Sequence, residues 1–338
     1  GEDSWLSNLQ FTDPGSLTSE EVIEKVRLAG VVGMGGAAFP AHVKMSPPPE
    51  KPIRTLMFNG VECEPYLTAD HRMMLEESER VLQGVSLLQY VYGAERVVIG
   101  IEANKPDAIA LLQKQCANTP VEVLPLQVKY PQGAEKQLIT AATGREVPSG
   151  GLPMDVGVAV HNVSTAAAVT DAVMLGRPLI ERVCTVTGPA IREPKNLRVR
   201  IGMPLSHLVE VCGGLVEEPG KIILGGPMMG FAQLGFDVPV VRGTSGLLLL
   251  REEDVTNNTE GPCIRCARCV QACPMNLLPT AIAAYARRNL VEETEEYCAM
   301  DCIECGSCSY VCPANIPLVQ SIRHGKAAVL AKKRKALL

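Results

Sequence analysis

Two cysteine motifs near the end of this chain restrict what it can fold into more than any other feature. One reads Cys263-Ile-Arg-Cys266-Ala-Arg-Cys269-Val-Gln-Ala-Cys273-Pro274, the other Cys302-Ile-Glu-Cys305-Gly-Ser-Cys308-Ser-Tyr-Val-Cys312-Pro313. Both are C-x2-C-x2-C-x3-C-P, the bacterial spacing for [4Fe–4S] clusters. Three thiolates two residues apart wrap one face of a cubane from a single tight loop. The fourth, just before the proline, normally ligates the other cluster. The expected ligands are therefore Cys263, Cys266, Cys269 and Cys312 for one cluster, and Cys302, Cys305, Cys308 and Cys273 for the other. Zinc usually takes two separated C-x2-C pairs without the trailing proline, and disulfides need an oxidising compartment. Such clusters pass single electrons, so the rest of the chain has to hold what feeds them.

At 338 residues the chain is long enough for two or three domains, and 46% hydrophobic residues support packed cores. A net charge of −5 implies no dominant basic surface and excludes nucleic acid as the expected partner. Eight of the 13 cysteines fall in the cluster motifs, which points to a reducing compartment. Gly1-Glu2-Asp3-Ser4 is polar and carries no signal-peptide pattern, and the first residue is not Met. The most apolar run, Leu247 to Leu250, is far short of the ~20 residues a membrane span needs. The expectation is a soluble protein able to dock onto a membrane complex. No nucleophile elbow is present, so hydrolysis has no support.

Taken in order, residues 1–17 read as a lead-in. A helix then starts at a capping box, Thr18 with Glu21, buries Val22, Ile23 and Val26, and ends at Gly30. Thr55 to Phe58, Val97 to Ile101 and Val121 to Val128 read as strands. They alternate with helices at 68–92 and from Asn104 to Cys116. A further helix (133–143), strand (155–160) and helix (163–175) follow. This alternation predicts an α/β fold with a parallel, Rossmann-like sheet, whose ligand sits at the carboxyl ends of the strands. The expected domains are 1–180, the α/β sheet; 181–250, a compact strand-rich domain with one helix near Pro204 to Cys212; 251–261, a polar linker; and 262–338, a helical two-cluster domain. In that last domain helices are expected from Leu278 to Arg288 and from Leu318 to Lys332.

Gly33-Met34-Gly35-Gly36-Ala37-Ala38-Phe39-Pro40 matches G-x-G-x-x-G/A, but a helix precedes it where a dinucleotide fingerprint needs a strand. Its glycines would let backbone N–H groups approach a phosphate, with Lys44 adding a charge. Phe39 reads either as a stacking face or as a core residue. Cys63, between Glu62 and Glu64, is expected to have a raised pKa from its acidic neighbours and a packing role. Cys116, Cys184 and Cys212 read as buried small residues, and His42, His71, His207 and His324 show no metal pairing.

Gly33 to Lys44, Asn59 to Asp70, Tyr130 to Glu135 and Asn162 to Thr165 together resemble the flavin- and NADH-binding subunit of respiratory complex I. That family shows a G-R-G-G-A-G-F-P loop, an N-A-D-E-x-E-P loop, a Y-x-x-G-E-E segment and an N-N-V-E-T segment in the same order. With two cluster motifs instead of one, following a β-grasp-like (soluble ligand-binding-like) domain, the sequence looks like the C-subunit family of Rnf (Rsx) ion-translocating electron-transport complexes. Members usually carry a further domain ahead of the helix at 18, so the sequence is expected to be part of a longer chain. The resemblance implies FMN in the crevice of the sheet. Gly33, Gly35 and Gly36 would line it, with Lys44 near its phosphate or ribityl chain. Asn59 and Glu62 would face the isoalloxazine, while Tyr130, Gly133, Glu135, Asn162 and Thr165 close the phosphate end. NAD(H) would stack on the flavin near Ala37, Phe39 and Glu64. Met34, Ala38, Val61 and Ala134 depart from the family pattern, as does His161, where complex I has its first asparagine.

The function implied is that of an NADH:acceptor oxidoreductase subunit, peripheral on the cytoplasmic side of the membrane. Electrons would pass between NADH, FMN and the two clusters. Membrane and iron–sulfur subunits, and indirectly ferredoxin, would be its partners, and they would carry the ion translocation. Two other readings stay open: a flavin-free iron–sulfur adaptor, and the diaphorase subunit of an NAD-linked hydrogenase or formate dehydrogenase.

Overall fold

The computed structural model describes residues 14–255 and 259–336. Most of the expected lead-in, and 256–258 of the expected linker, lie outside the described residues. The chain forms two compact units. One runs to Val147 and resumes over Leu152–Asp254; the other joins Pro148–Gly151 to the residues from Val255 onward.

The first unit opens with α1 (Ser19–Leu28). Its capping box is made: the Glu21 N–H donates to Thr18 Oγ1 at 3.3 Å and the Thr18 N–H to the Glu21 carboxylate at 2.8 Å. A short α2 (Ala41–Lys44) follows the glycine loop. The helix expected over 68–92 is two helices, α3 (Ala69–Glu76) and α4 (Ser78–Tyr92), broken at Glu77. The remaining helices of this region are α5 (Pro106–Cys116), α6 (Glu135–Thr143) and α7 (Val163–Met174). Different tertiary contacts hold α3 and α4. Glu62 accepts the N–H groups that start α3. α4 lies so close to α7 that a Cβ on Gly84 would stand 1.9 Å from the Ala166 carbonyl.

The parallel sheet comprises β1 (Thr55–Asn59), β2 (Arg96–Glu102), β3 (Val121–Leu126) and β4 (Val158–Asn162), in the order β3-β2-β1-β4. Side chains alternate across it, as strand geometry demands. Leu56 and Phe58 face one core and Met57 the opposite one, with Leu138 and Ile139 of α6.

A second sheet completes this unit: β5 (Glu181–Thr187), β6 (Lys195–Arg200), β7 (Lys221–Leu224), β8 (Phe231–Gln233) and β9 (Gly246–Leu250), with α8 (Leu205–Val211) between β6 and β7. The order is β6-β5-β9-β7-β8, with β5 and β9 parallel and the other pairs antiparallel. β9 takes up the Leu247–Leu250 run. It is the middle strand, buried on both faces, which is why its sequence shows no alternation.

The second unit is helical: α9 (Arg268–Gln271), α10 (Pro279–Arg287), α11 (Val291–Glu296), α12 (Ser307–Tyr310) and α13 (Leu318–Ala336). The two cysteine loops repeat each other in backbone conformation. Arg265 and Glu304 have φ 54° and 58°, Ala267 and Gly306 have 61° and 77°, and Asn276 and Asn315 have 54° and 51°. Ile282, Leu318, Val319 and Ile322 pack with Cys269 and Cys308 at its centre. Among the described residues no helix is long and apolar enough to cross a membrane.

Candidate flavin site and cluster cavities

The chain leaves β1 toward β2 and β3 on one side and returns as β4 on the other, so a crevice opens where the strand order reverses. Asn59 and Asn162 are register partners there. Asn162 Nδ2 donates to the Asn59 carbonyl at 3.4 Å and to Asp70 at 2.6 Å. Its Oδ1 caps α7, accepting from the Ser164 and Thr165 N–H groups. Asn59 Nδ2 donates to the Gly133 carbonyl at 2.7 Å. Two asparagines thus tie together the loops after β1, β3 and β4.

The glycine loop closes on itself, the Gly33 N–H donating to the Phe39 carbonyl at 2.8 Å. The Met34 N–H donates to Thr165 Oγ1 at 2.9 Å, and the buried Arg182 guanidinium donates to the Met34 carbonyl at 3.2 Å. Gly36 has φ +110° and open space where a Cβ would stand, while a Cβ on Gly35 would meet Asn162 at 3.5 Å. A bare backbone turned toward free space beside the strand tips fits a ligand phosphate or ring. Ala37 is exposed, and Phe39 is 49% exposed, so Phe39 is no core residue. The chain reverses between the bridged Val32 and Pro40, leaving its ring outside.

Lys44 Nζ contacts Glu135 at 2.7 Å and the Val160 carbonyl at 2.9 Å, joining two predicted residues across the loops. α6 starts at Glu135, with no side-chain cap from Ala134. Tyr130 enters this loop through a cis bond to Pro131. A Cβ on Gly133 would press on Cys63 Sγ at 3.2 Å. Burial, more than the neighbouring Glu102 and Glu64, pushes the Cys63 thiol up to about 11, so the direction expected for this thiol holds and its main cause is desolvation. Burial also holds His161 down to about 3, leaving the ring neutral. Since the Tyr92 hydroxyl donates to the Lys44 carbonyl, His161 Nε2–H is the donor to Tyr92, at 2.9 Å.

Glu62 and Glu64 turn in different directions. Glu62 accepts from the Asp70 and His71 N–H groups at 2.8 and 3.0 Å. Burial, and then the Asp70 charge, raise its carboxyl to about 8. Asp70, also raised by burial, accepts from the Ser164 hydroxyl at 2.6 Å. Lys105 braces this corner by donating to the Val61 carbonyl at 2.8 Å. Glu64 instead reaches the second sheet, where its Oε1 accepts the Met229 N–H at 2.7 Å. Its buried Oε2 accepts no hydrogen bond among the described residues, an acceptor suited to a ligand hydroxyl or amide. Sequence reasoning passes over Asp70, Ser164, Lys105 and Arg182. Asp70 stands at the end of a matched segment; Arg182 gives no signal, being 148 positions from Met34.

In the second unit each expected set of four cysteines lines one cavity. Cys263, Cys266, Cys269 and Cys312 surround a space of about 180 Å³ with Ile264, Val270 and Ile316. Cys302, Cys305, Cys308 and Cys273 surround a tighter, apolar one with Leu277, Val319 and Ile322. The thiols ring a void, and among the described residues no cluster of three or more ligating side chains could hold a single ion. A cubane, with one ligand per corner, suits such an arrangement better than one tetrahedral ion. Burial raises Cys302 and Cys269, and burial together with Cys302 and Cys305 raises Cys308 to about 12. Thiols so crowded ionise readily only with iron between them. The Leu277 and Glu304 N–H groups each donate to a thiol, Cys273 and Cys302, at 3.4 Å, both in the tighter cavity. Cys298 is exposed and lines neither cavity.

Residues 26–171 match the Nuo51 FMN-binding domain, 183–232 the SLBB domain and 262–316 the 4Fe-4S dicluster domain. The cofactors of these domains are FMN and two [4Fe–4S] clusters. Among solved structures, a chain of an NAD+-reducing [NiFe]-hydrogenase in its H2-reduced state has a TM-score of 0.57 at 16% identity, over 95% of this chain and 62% of that one; this likeness is one of fold. The C subunit of the proton-translocating ferredoxin:NAD+ oxidoreductase complex of Clostridium ljungdahlii is 51% identical over 329 residues, 97% of this chain and 72% of the relative. Its counterpart in the Na+-translocating complex of Acetobacterium woodii is 51% identical over 317 residues, 93% of this chain and 72% of the relative. The corresponding protein of the ion-translocating oxidoreductase complex of Rhodobacter capsulatus is 45% identical over 96% of this chain and 63% of its own length. With likeness at this level running from the glycine loop through both cysteine motifs, the chain belongs to the C-subunit family of the ion-translocating Rnf oxidoreductase complexes.

Proposed function

We propose that this chain is the peripheral NADH-oxidising, or NAD+-reducing, subunit of a membrane electron-transport complex of the ferredoxin:NAD+ type. Ion translocation would belong to membrane-embedded partner subunits, and the docking side would be cytoplasmic. The observation that carries this reading is the combination, in one chain, of a glycine-lined crevice at a strand-order reversal with two cavities, each lined by three cysteines of one motif and the fourth of the other. FMN, when bound, links a two-electron hydride donor to one-electron clusters.

The chain's own residues have separable tasks in this proposal. Gly35 and Gly36 bring bare backbone to the ligand without side-chain bulk, and Gly33, whose N–H closes the loop on Phe39, lines it. Lys44 takes the phosphate end, with Tyr130, Gly133 and Glu135 in the loop that leads into α6. Asn59, Asn162 and Thr165 hold the three loops at fixed spacing. Glu62 and Asp70 keep a proton beside the crevice. Ala37 and the exposed Phe39 ring present a face to the dinucleotide, and Glu64 Oε2 an acceptor. The two sheets have separate cores, which supports a boundary near residue 180 between a flavin domain and a β-grasp domain, followed by the linker and the cluster domain.

An anaerobic titration with NADH, and in parallel NADPH, tests the reading. Bleaching of protein-bound FMN followed by cluster reduction is expected with at least one nucleotide. Purified protein that keeps its iron and sulfide yet never retains FMN would leave the iron–sulfur adaptor as the better account.

A further inference from the structure

The two cysteine loops share a backbone and differ in what surrounds them. The loop from Cys263 to Arg268 is exposed throughout, whereas Cys305, Gly306, Ser307 and Cys308 are buried. An electron entering a buried, apolar cavity adds negative charge where water cannot solvate it, which disfavours reduction there. The Glu304 and Leu277 N–H groups, which donate to Cys302 and Cys273, offset part of that cost. α13 adds a cation. Lys326 donates to the Cys302 carbonyl at 2.8 Å, and its side chain is only 16% exposed. Lys326 also contacts the Glu304 carboxylate at 2.6 Å, and Arg323 contacts it at 2.9 Å, so two cations and one anion leave a positive excess beside this loop. A Cβ on Gly325 would stand 2.7 Å from Ala286 Cβ, and this close approach of α13 to α10 fixes where Lys326 emerges. The other loop has no such cation: Arg287, at the repeat position of Lys326, contacts Glu260 and Ser321 instead.

We propose that the charge of Lys326 sets the reduction potential of the cluster held by Cys302, Cys305, Cys308 and Cys273, keeping that buried group reducible. The inference rests on the reading above that these four thiolates hold one cluster. Electrons reach it singly from the reduced flavin, and each one taken up adds one negative charge. A fixed cation favours the state that carries this charge, and with little water between them its field is weakly screened. Glu304 acts in the opposite sense, so the sign of each shift is diagnostic. A side chain that only braced the loop would not produce opposite signs.

The test is a redox titration of the full chain, prepared anaerobically with both clusters and followed by electron paramagnetic resonance. Cys302→Ser identifies which signal belongs to the buried set. Lys326→Met is expected to lower that cluster's potential, its reduction equilibrium falling about ten-fold, and Lys326→Arg to stay within about two-fold of wild type. Glu304→Gln, which removes the opposing charge, should shift the same potential upward. Lys333→Met, which removes an exposed cation of the same helix, should move neither cluster. Unmoved potentials, shifts of one sign in Lys326→Met and Glu304→Gln, or equal shifts in both clusters overturn the proposal. Should Lys326→Met lose iron, Glu304→Gln decides: an upward shift supports the proposal and none overturns it. If Cys302→Ser leaves both signals in place, the ligation falls and the proposal with it; if the assignment holds while the potentials stay put, the proposal falls alone.

Discussion

The backbone N–H of Asp70 donates to the Glu62 carboxylate at 2.8 Å, so two acids occupy one buried corner beside the strand tips. Burial disfavours charge on both, and their mutual repulsion adds to it for Glu62. In the folded chain Glu62 keeps its proton to about 8, whereas unfolded it ionises near 4.5. Between those values the folded form holds the extra proton, so this group's contribution to stability falls as pH rises. Glu62→Gln should flatten that slope, which is on the order of a few kcal/mol across the window. Urea midpoints of both proteins at the two ends of the window check it, and a parallel slope in the variant would contradict it.

The crossed lining of the two cysteine cavities makes a pairing prediction. Cys312→Ser should remove the cluster signal that Cys263→Ser removes, and combining the two should cost no further iron. Cys312→Ser combined with Cys302→Ser should abolish both signals. Iron analysis with electron paramagnetic resonance of reduced samples distinguishes this pattern from the uncrossed one, in which the two outcomes exchange.

Gly36 and Gly93 both have positive φ with free space around them, one in the proposed flavin loop and the other ending α4. Alanine at either should cost roughly 1 kcal/mol of stability. Only Gly36→Ala should also lower FMN retention, by about ten-fold in affinity, since a methyl group then occupies the approach to the backbone. Flavin content after gel filtration separates the two; equal retention would place the flavin elsewhere.

Thr165 is fully buried, and its hydroxyl takes the Met34 N–H. Thr165→Val keeps the volume but orphans that donor, at a cost of about 1–3 kcal/mol, while Thr165→Ser restores it. Thermal unfolding and FMN affinity should fall together in the valine variant and recover in serine. An unchanged valine variant beside a weakened serine variant would mean that Thr165 acts through its methyl packing.

The cysteine sets, the parallel sheet and the glycine loop are legible because each rests on local chemistry: ligand spacing, strand–helix alternation, and residues without side chains. The stretch 68–92 reads as one helix because its apolar pattern runs on through Glu77; what breaks it is Glu62 arriving at the start of α3 and Gly84 meeting α7. β9 hides as a bare apolar run, since a middle strand buried on both faces has no period to detect.

From residues alone came the two sets of four cysteines that each line one cavity, the class of fold and the loops at the strand tips, because spacing along the chain already encodes them. The three-dimensional arrangement alone decided that Asn59 and Asn162 sit side by side, that Arg182 reaches Met34, and that one cysteine loop is sealed while its copy stays open. Such relations join positions distant in sequence, where burial and hydrogen bonding depend on which segments the fold brings into contact.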